Sequence, residues 1–252
     1  MKPSISPATL TYTLGRSLYV PLTSRCNSRT LPETRGPNFL LPSEVVSTLC
    51  RFRDAEHDTQ QWHHWCNYLD STEYPQKLPD PFDSVIRLEN EAERIPTISD
   101  IHEAIKAQLE QREYDEIVIA GEGEPTLRWD ALLSISSAFS NQQHTIRVTT
   151  NGLLQTADVK ASALKQHGVN VVSVALMTGD SAQYTMLMDP RTEEITRAPH
   201  EVVCDFIQAA VTQDLEVEIT AVDRPEVDKQ QTEALARFLG VSTKVRWRSF
   251  FP

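Results

Sequence analysis

From residue 97 to the end of the chain, short β-type runs alternate with helical patterns, a rhythm that restricts the polypeptide to repeated βαβ units around a parallel sheet. Thr97 and Asp100 resemble a capping box, and behind them Ile98, Ile101, Ile105 and Leu109 recur at helical spacing. The run EIVIA at 116–120 reads as the next strand. A helix over 128–139 follows, with Trp129, Leu132, Leu133 and Phe139 mostly on one side, then strand TIRVTT at 145–150, which Asn151-Gly152 breaks. The pattern continues with a helix over about 157–167 ended by Gly168, strand VNVVSVAL to Leu176, and a loop holding Pro190 and Pro199. A helix over 200–213, strand LEVEITAV, a helix over 226–239 and strand TKVRWRSF complete it. With SLYVPL at 17–22 as the first strand, six strands result. Each crossover is long enough for a parallel connection, so the expected class is α/β, a partial (β/α)6 TIM-type barrel. An open doubly wound sheet is the alternative.

Residues 36–96 interrupt this rhythm after the first strand, with a helical piece, the Trp/His-rich QWHHWCNYLD and the Pro-dotted YPQKLPDPFD. We read 1–252 as a single barrel domain and 36–96 as an insertion or small subdomain within it. The net charge of -11 opposes attraction to phosphate backbones and anionic lipid, so no nucleic-acid or membrane partner is expected. No run of 18 apolar residues and no apolar leader at the start are visible, and the four cysteines form no CxxC pair. Free thiols in a reducing cytoplasm fit that usage.

In a parallel barrel the loops leaving the C-terminal ends of strands form the ligand end. Three such loops are rich in polar and glycine residues: TSRCNSRTLPETRG, GEGEPTLRW and Thr150-Asn151-Gly152. Gly121 and Gly123 let backbone groups approach a ligand closely, and Glu124 can accept a bond from an ammonium group. The same turn also serves as a plain strand-to-helix connection. Buried barrel strands are normally near-continuous apolar runs, yet Thr145, Arg147 and Thr149 share one strand face, as do Glu216, Glu218 and Thr220, and Lys244, Arg246 and Arg248. Arg147, Glu218 and Arg246 are therefore candidate lining groups for a small polar ligand; the alternative has these rows facing solvent at an open edge.

The segments LTYTLGRSLYVPLTSRCN, AGEGEPTLRWDALL, VTTNG, VSVALMTGD and EITAVDRPEVD, taken in order, resemble the TatD-associated branch of the radical SAM superfamily. The resemblance covers about residues 10–35 and 97–250 and implies a barrel of the radical SAM kind. It further implies S-adenosylmethionine as cofactor and a [4Fe-4S] cluster on a Cys-x3-Cys-x2-Cys motif in the first loop. It assigns Gly121, Glu122, Gly123, Glu124, Pro125 and Thr126 to recognition of the methionine amino group, with Thr150 and Asn151 beside them. Asp180 and Tyr184 fit the fourth-strand segment, although Met177 stands where the family tends to carry a polar Asn.

The cluster motif is broken. Cys26 occupies its first position as the one familial metal ligand, but Thr30 and Glu33 occupy the others and supply no soft thiolate. Cys50 and Cys204 read as core residues, which leaves Cys66, near His63 and His64, as the one substitute ligand. The resulting expectation is a diverged radical-SAM-fold protein, a pseudoenzyme without standard cluster binding. Its barrel mouth would take S-adenosylmethionine or another polar ligand. Two alternatives stay open: an active enzyme with a non-standard iron–sulfur or metal site, and a non-catalytic scaffold. The scaffold would meet a protein partner through 36–96, where Trp62, Trp65, Tyr68 and Tyr74 are either interface aromatics or a small core of their own.

Overall fold

Seven strands form one sheet in sequential order. The computed structural model describes residues 10–23, 25–40, 96–121, 123–140, 144–191 and 197–252. The insertion beyond residue 40, with Cys50, His63, His64 and Cys66, lies outside the described residues, as does Glu122. Strand β1 (Tyr12–Leu14) pairs antiparallel with β2 (Ser17–Val20). After the short helix α1 (Leu31–Thr34) come α2 (Ile98–Gln111), β3 (Glu116–Ile119), a 3-10 turn (Pro125–Arg128) and α3 (Trp129–Phe139). The chain continues through β4 (Thr145–Thr150), α4 (Ala157–Gln166), β5 (Val171–Ala175), α5 (Ser181–Met188) and α6 (Pro199–Thr212). It ends with β6 (Glu216–Asp223), α7 (Lys229–Phe238) and β7 (Arg246–Ser249).

From β2 to β7 the six strands are all parallel, which is the expected barrel unit; β1 adds an antiparallel edge. The capping box at α2 is present: the Thr97 hydroxyl accepts from the Asp100 backbone N–H at 3.1 Å, and the Asp100 carboxylate accepts from the Thr97 N–H at 2.9 Å. A pair of this kind contributes roughly 1 kcal/mol. One unforeseen element is α5, capped by Asp180 through the Gln183 N–H at 2.7 Å.

Register separates the two faces of the sheet. Leu18, Ile117 and Ile146 align on one face and Val148, Val172 and Val217 continue it; all are buried in the core beneath the helices. On the opposite face Tyr19, Val118, Arg147 and Val171 align. Tyr12 at one edge of the sheet and Arg248 at the other border the same cavity, so the sheet curls into a partial barrel with that face inside. Among the described residues, no helix is long and apolar enough to cross a membrane.

Candidate functional site

A cavity of about 440 Å³ opens inside the curl, within the roughly 300–1,000 Å³ usual for small-molecule sites. Ala120 and Gly121, Thr149 to Asn151, Ala175 and Met177 border it, so it lies at the C-terminal ends of β3, β4 and β5. Ligands collect there in parallel α/β folds because the loops diverge and leave space above the strand ends. Gly121 lets the end of β3 pack closely on the first loop, since a Cβ at this position would stand 2.6 Å from Cβ of Pro21.

Glu124 ties the loops together. Its Oε1 accepts from the Thr126 N–H at 3.1 Å, the Thr126 hydroxyl at 2.7 Å and the Thr150 hydroxyl at 2.8 Å, while Oε2 accepts from the Asn151 N–H at 2.7 Å. Its backbone N–H donates to the Arg25 carbonyl at 2.7 Å, bringing in the first loop. The carboxyl is fully enclosed, and burial pushes its pKa up against the opposing pull of those donors. Asn151 extends the network, donating from Nδ2 to Asn27 Oδ1 at 2.7 Å and accepting from the Leu153 N–H at 3.0 Å. Gly152 completes this turn at φ +75°, and a Cβ there would come within 2.8 Å of Val174 Cγ1.

The first loop docks on the end of α5. The Ser28 hydroxyl and the Arg29 N–H both donate to the Met188 carbonyl at 2.7 Å. The Arg29 guanidinium reaches the carbonyls of Met186 and Leu187 at 3.3 and 3.4 Å. Cys26 is buried beside Asn151, whose Nδ2 is 3.9 Å from Sγ. Burial first, then the Glu124 carboxylate, pushes this thiol up to about 12. Thr30 and Glu33 bond to each other, with the Thr30 N–H and hydroxyl donating to Glu33 Oε2 at 2.6 and 2.9 Å. Tyr184 is wholly buried, and its hydroxyl has no hydrogen-bond partner among the described residues.

Deeper in the curl, Arg147 bridges two carboxylates. Its Nε donates to Glu116 at 2.8 Å, and Nη1 lies 2.7 Å from Glu218, a close charge contact outside hydrogen-bond orientation. Glu116 also accepts from the Ser17 hydroxyl at 2.6 Å, so a polar ladder runs from β2 to β6. Glu218 thus meets Arg147 diagonally across β5, past Val171 and Ser173, although β7 with its arginines is the adjacent strand. Arg246 is exposed at the start of β7 opposite Thr220. None of the three candidate lining groups borders the cavity; from the β7 row it is Arg248 that does. Asn27, Arg35 and Phe39 complete the surroundings. Asn27 and Arg35 belong to the same polar first loop, but nothing in their spacing distinguishes them as site residues.

The sequence model of the radical SAM superfamily matches residues 66–239, well over half of the chain. This chain belongs to the radical SAM superfamily. No curated protein matches it. Among solved structures, it is similar to the radical S-adenosylmethionine methyltransferase TsrM of Kitasatospora setae, determined with tryptophan substrate and a SAM analogue bound, at TM-score 0.44 and 10% identity. That likeness covers 60% of this chain and 30% of TsrM. The chain is also similar to SuiB of Streptococcus suis, at TM-score 0.44 and 13% identity over 90% of this chain and 62% of that one. The chain therefore spans less than two thirds of the length of either protein. Radical SAM proteins generally use S-adenosylmethionine and a [4Fe-4S] cluster. Among the described residues, no group of three or more His, Cys, Asp or Glu side chains stands where it could hold a metal ion.

Proposed function

We propose that this chain is a diverged member of the TatD-associated branch that binds S-adenosylmethionine in the barrel mouth without the standard cluster. The observation that carries the reading is the Thr30–Glu33 pair. Cys26 and Thr30 both border the cavity, so two of the three motif positions open onto it. The donor set there is nevertheless one thiol, one hydroxyl and one carboxylate already engaged by Thr30. Iron–sulfur ligation takes thiolates, so these residues do not fit the cluster, and we derive no radical step from it.

The fit to S-adenosylmethionine is better. Gly121, Gly123, Thr150 and Asn151 present backbone and short polar groups to the cavity. Pro125 opens the 3-10 turn, and Thr126 donates to Glu124, which ties the loops together. A carboxylate offers about four acceptor positions. Three donors meet Oε1 and one meets Oε2, so an ammonium group would use the remaining position on Oε2. The Glu116–Arg147–Glu218 ladder forms the floor below the ligand in this reading.

Calorimetric titration of the full chain with S-adenosylmethionine, run beside iron and sulfide analysis after anaerobic reconstitution, tests the proposal. Saturable binding to iron-free protein is expected, with iron taken up only by the Thr30→Cys/Glu33→Cys double variant. Stoichiometric iron and acid-labile sulfide in the unaltered protein would mean an active enzyme with a non-standard site. No heat with S-adenosylmethionine would leave the scaffold reading.

A further inference from the structure

The wall of the cavity away from the Glu124 loop is cationic. Arg29, Arg35 and Arg248 border the cavity, and among its described bordering residues Glu124 is the one carboxylate, enclosed by its own donors. The chain as a whole carries a net charge of -11, so this concentration of arginine runs against its average. Arg248 Nε is buried and has no hydrogen-bond partner among the described residues. Glu218 on neighbouring β6 is held 2.7 Å from Arg147 instead. Arg35 Nε donates to the Ser249 carbonyl at 3.1 Å, which fixes the Arg35 side chain against the backbone next to Arg248. Burial, then the like charges of Arg246 and Arg35, holds the Arg248 guanidinium below its ordinary range. A buried donor without an acceptor costs stability unless a ligand supplies the acceptor.

The rest of this wall is aromatic. Tyr12 and Tyr19 stack with centroids 5.0 Å apart and planes 12° from parallel, and the Arg35 guanidinium lies 4.0 Å from the Phe39 ring centroid. All three rings border the cavity. We propose that this wall binds a small aromatic anion, its carboxylate or phosphate oxygens on the Arg248 and Arg35 guanidinium groups and its ring against Tyr12, Tyr19 and Phe39. Guanidinium matches either anion because its fixed fork donates two parallel N–H bonds. This inference goes beyond S-adenosylmethionine binding and does not depend on it, since it uses the opposite wall.

The test titrates the full chain with benzoate and with phenyl phosphate, using benzyl alcohol as the neutral control. At least one anion should bind about tenfold or more tightly than benzyl alcohol, the worth of a charged hydrogen bond, and should weaken as salt rises. The tighter of the two anions identifies the group recognised. Arg248→Met should lose about tenfold or more in anion affinity, with Arg248→Lys between it and the unaltered protein. Unliganded Arg248→Met should melt no lower than the unaltered chain, because the substitution removes an unpaired buried donor. Equal binding of benzyl alcohol, no binding of either anion, or full retention by a folded Arg248→Met variant would overturn the inference. S-adenosylmethionine titrated into Arg248→Met separates the two readings: its binding should be unchanged, and its failure in the unaltered protein would leave anion binding standing.

Discussion

Replacing Glu124 measures how far one carboxylate holds the mouth of the barrel together. In Glu124→Ala all four donors lose their acceptor. The two hydroxyls can rotate toward other acceptors, but the backbone N–H groups of Thr126 and Asn151 cannot. Each orphaned buried donor costs about 1–3 kcal/mol, so the pair sets a cost of about 2–6 kcal/mol, toward the lower end if cavity water enters. Glu124→Gln keeps an oxygen for the three donors on Oε1 and turns its amide toward the Asn151 N–H alone. It also removes the cost of burying a charge, so its net penalty should be about 1 kcal/mol. Urea unfolding at constant m-value reads both variants, and Ala should be the worse by about 2 kcal/mol. The pH dependence adds a sign. Because the folded pKa of Glu124 is raised above its ordinary 4.5, its protonation contributes stability that is fully present below the unfolded value and is lost as pH rises through the folded one. The difference between the unaltered protein and Glu124→Gln should therefore shift against the unaltered protein as pH climbs above 4.5. Equal costs for Ala and Gln, or a difference independent of pH, would refute the network as drawn.

Four further outcomes are expected. Arg147→Met leaves Glu116 and Glu218 facing each other in a half-buried position, which should cost about 1–3 kcal/mol in urea unfolding, with part regained by adding Glu218→Gln. Burial raises the Glu116 pKa, but bonds from Ser17 and Arg147 outweigh this and leave it lowered; its stabilisation should be present above 4.5 and lost as pH falls through the folded value, less so in Arg147→Met. Cys26, pushed up to about 12 by burial and then Glu124, should be modified by a thiol reagent at pH 8 only as fast as the chain opens, as mass mapping of labelled peptides would show. Gly152→Ala forces a Cβ onto Val174 at φ +75° and should cost about 2–4 kcal/mol by the same unfolding assay.

The parallel barrel was legible in the sequence because its signals are local. The Thr97 cap, the apolar stripe behind it and the Asn151-Gly152 break each act within one element, and each is found in the structure. What escaped had no such signal. Strand β1 is three residues long and pairs only by hairpin contact, too short for an alternating pattern. Helix α5, SAQYTMLM, has apolar side chains without a dominant face and is fixed instead by Asp180 and by the first loop docking on its end. For the charged rows, alternation along β4, β6 and β7 identified which side chains share a face, but partner choice depends on what stands between strands. Arg147 reaches Glu218 diagonally across β5, where Val171 aligns with Arg147 and Ser173 with Glu218, and no single-strand pattern records that.

This partner choice divides the inside of the barrel into two electrostatic zones. Below, Arg147 lies between the carboxylates of Glu116 and Glu218, and Ser17 donates to Glu116, so each of these half-buried charges has a partner. Above, the cavity holds Arg35 and Arg248 with no free carboxylate among its described bordering residues, in a chain that has 35 acidic side chains to place. An acid reaching Arg248 would satisfy its Nε and stabilise the fold, yet Glu218 on adjacent β6 is held by Arg147. Among the described residues, the fold thus leaves Arg248 Nε unpartnered at the cavity and pairs its charges where no such space exists. That arrangement is costly for a scaffold that binds nothing and economical for one whose ligand arrives with its own negative charge.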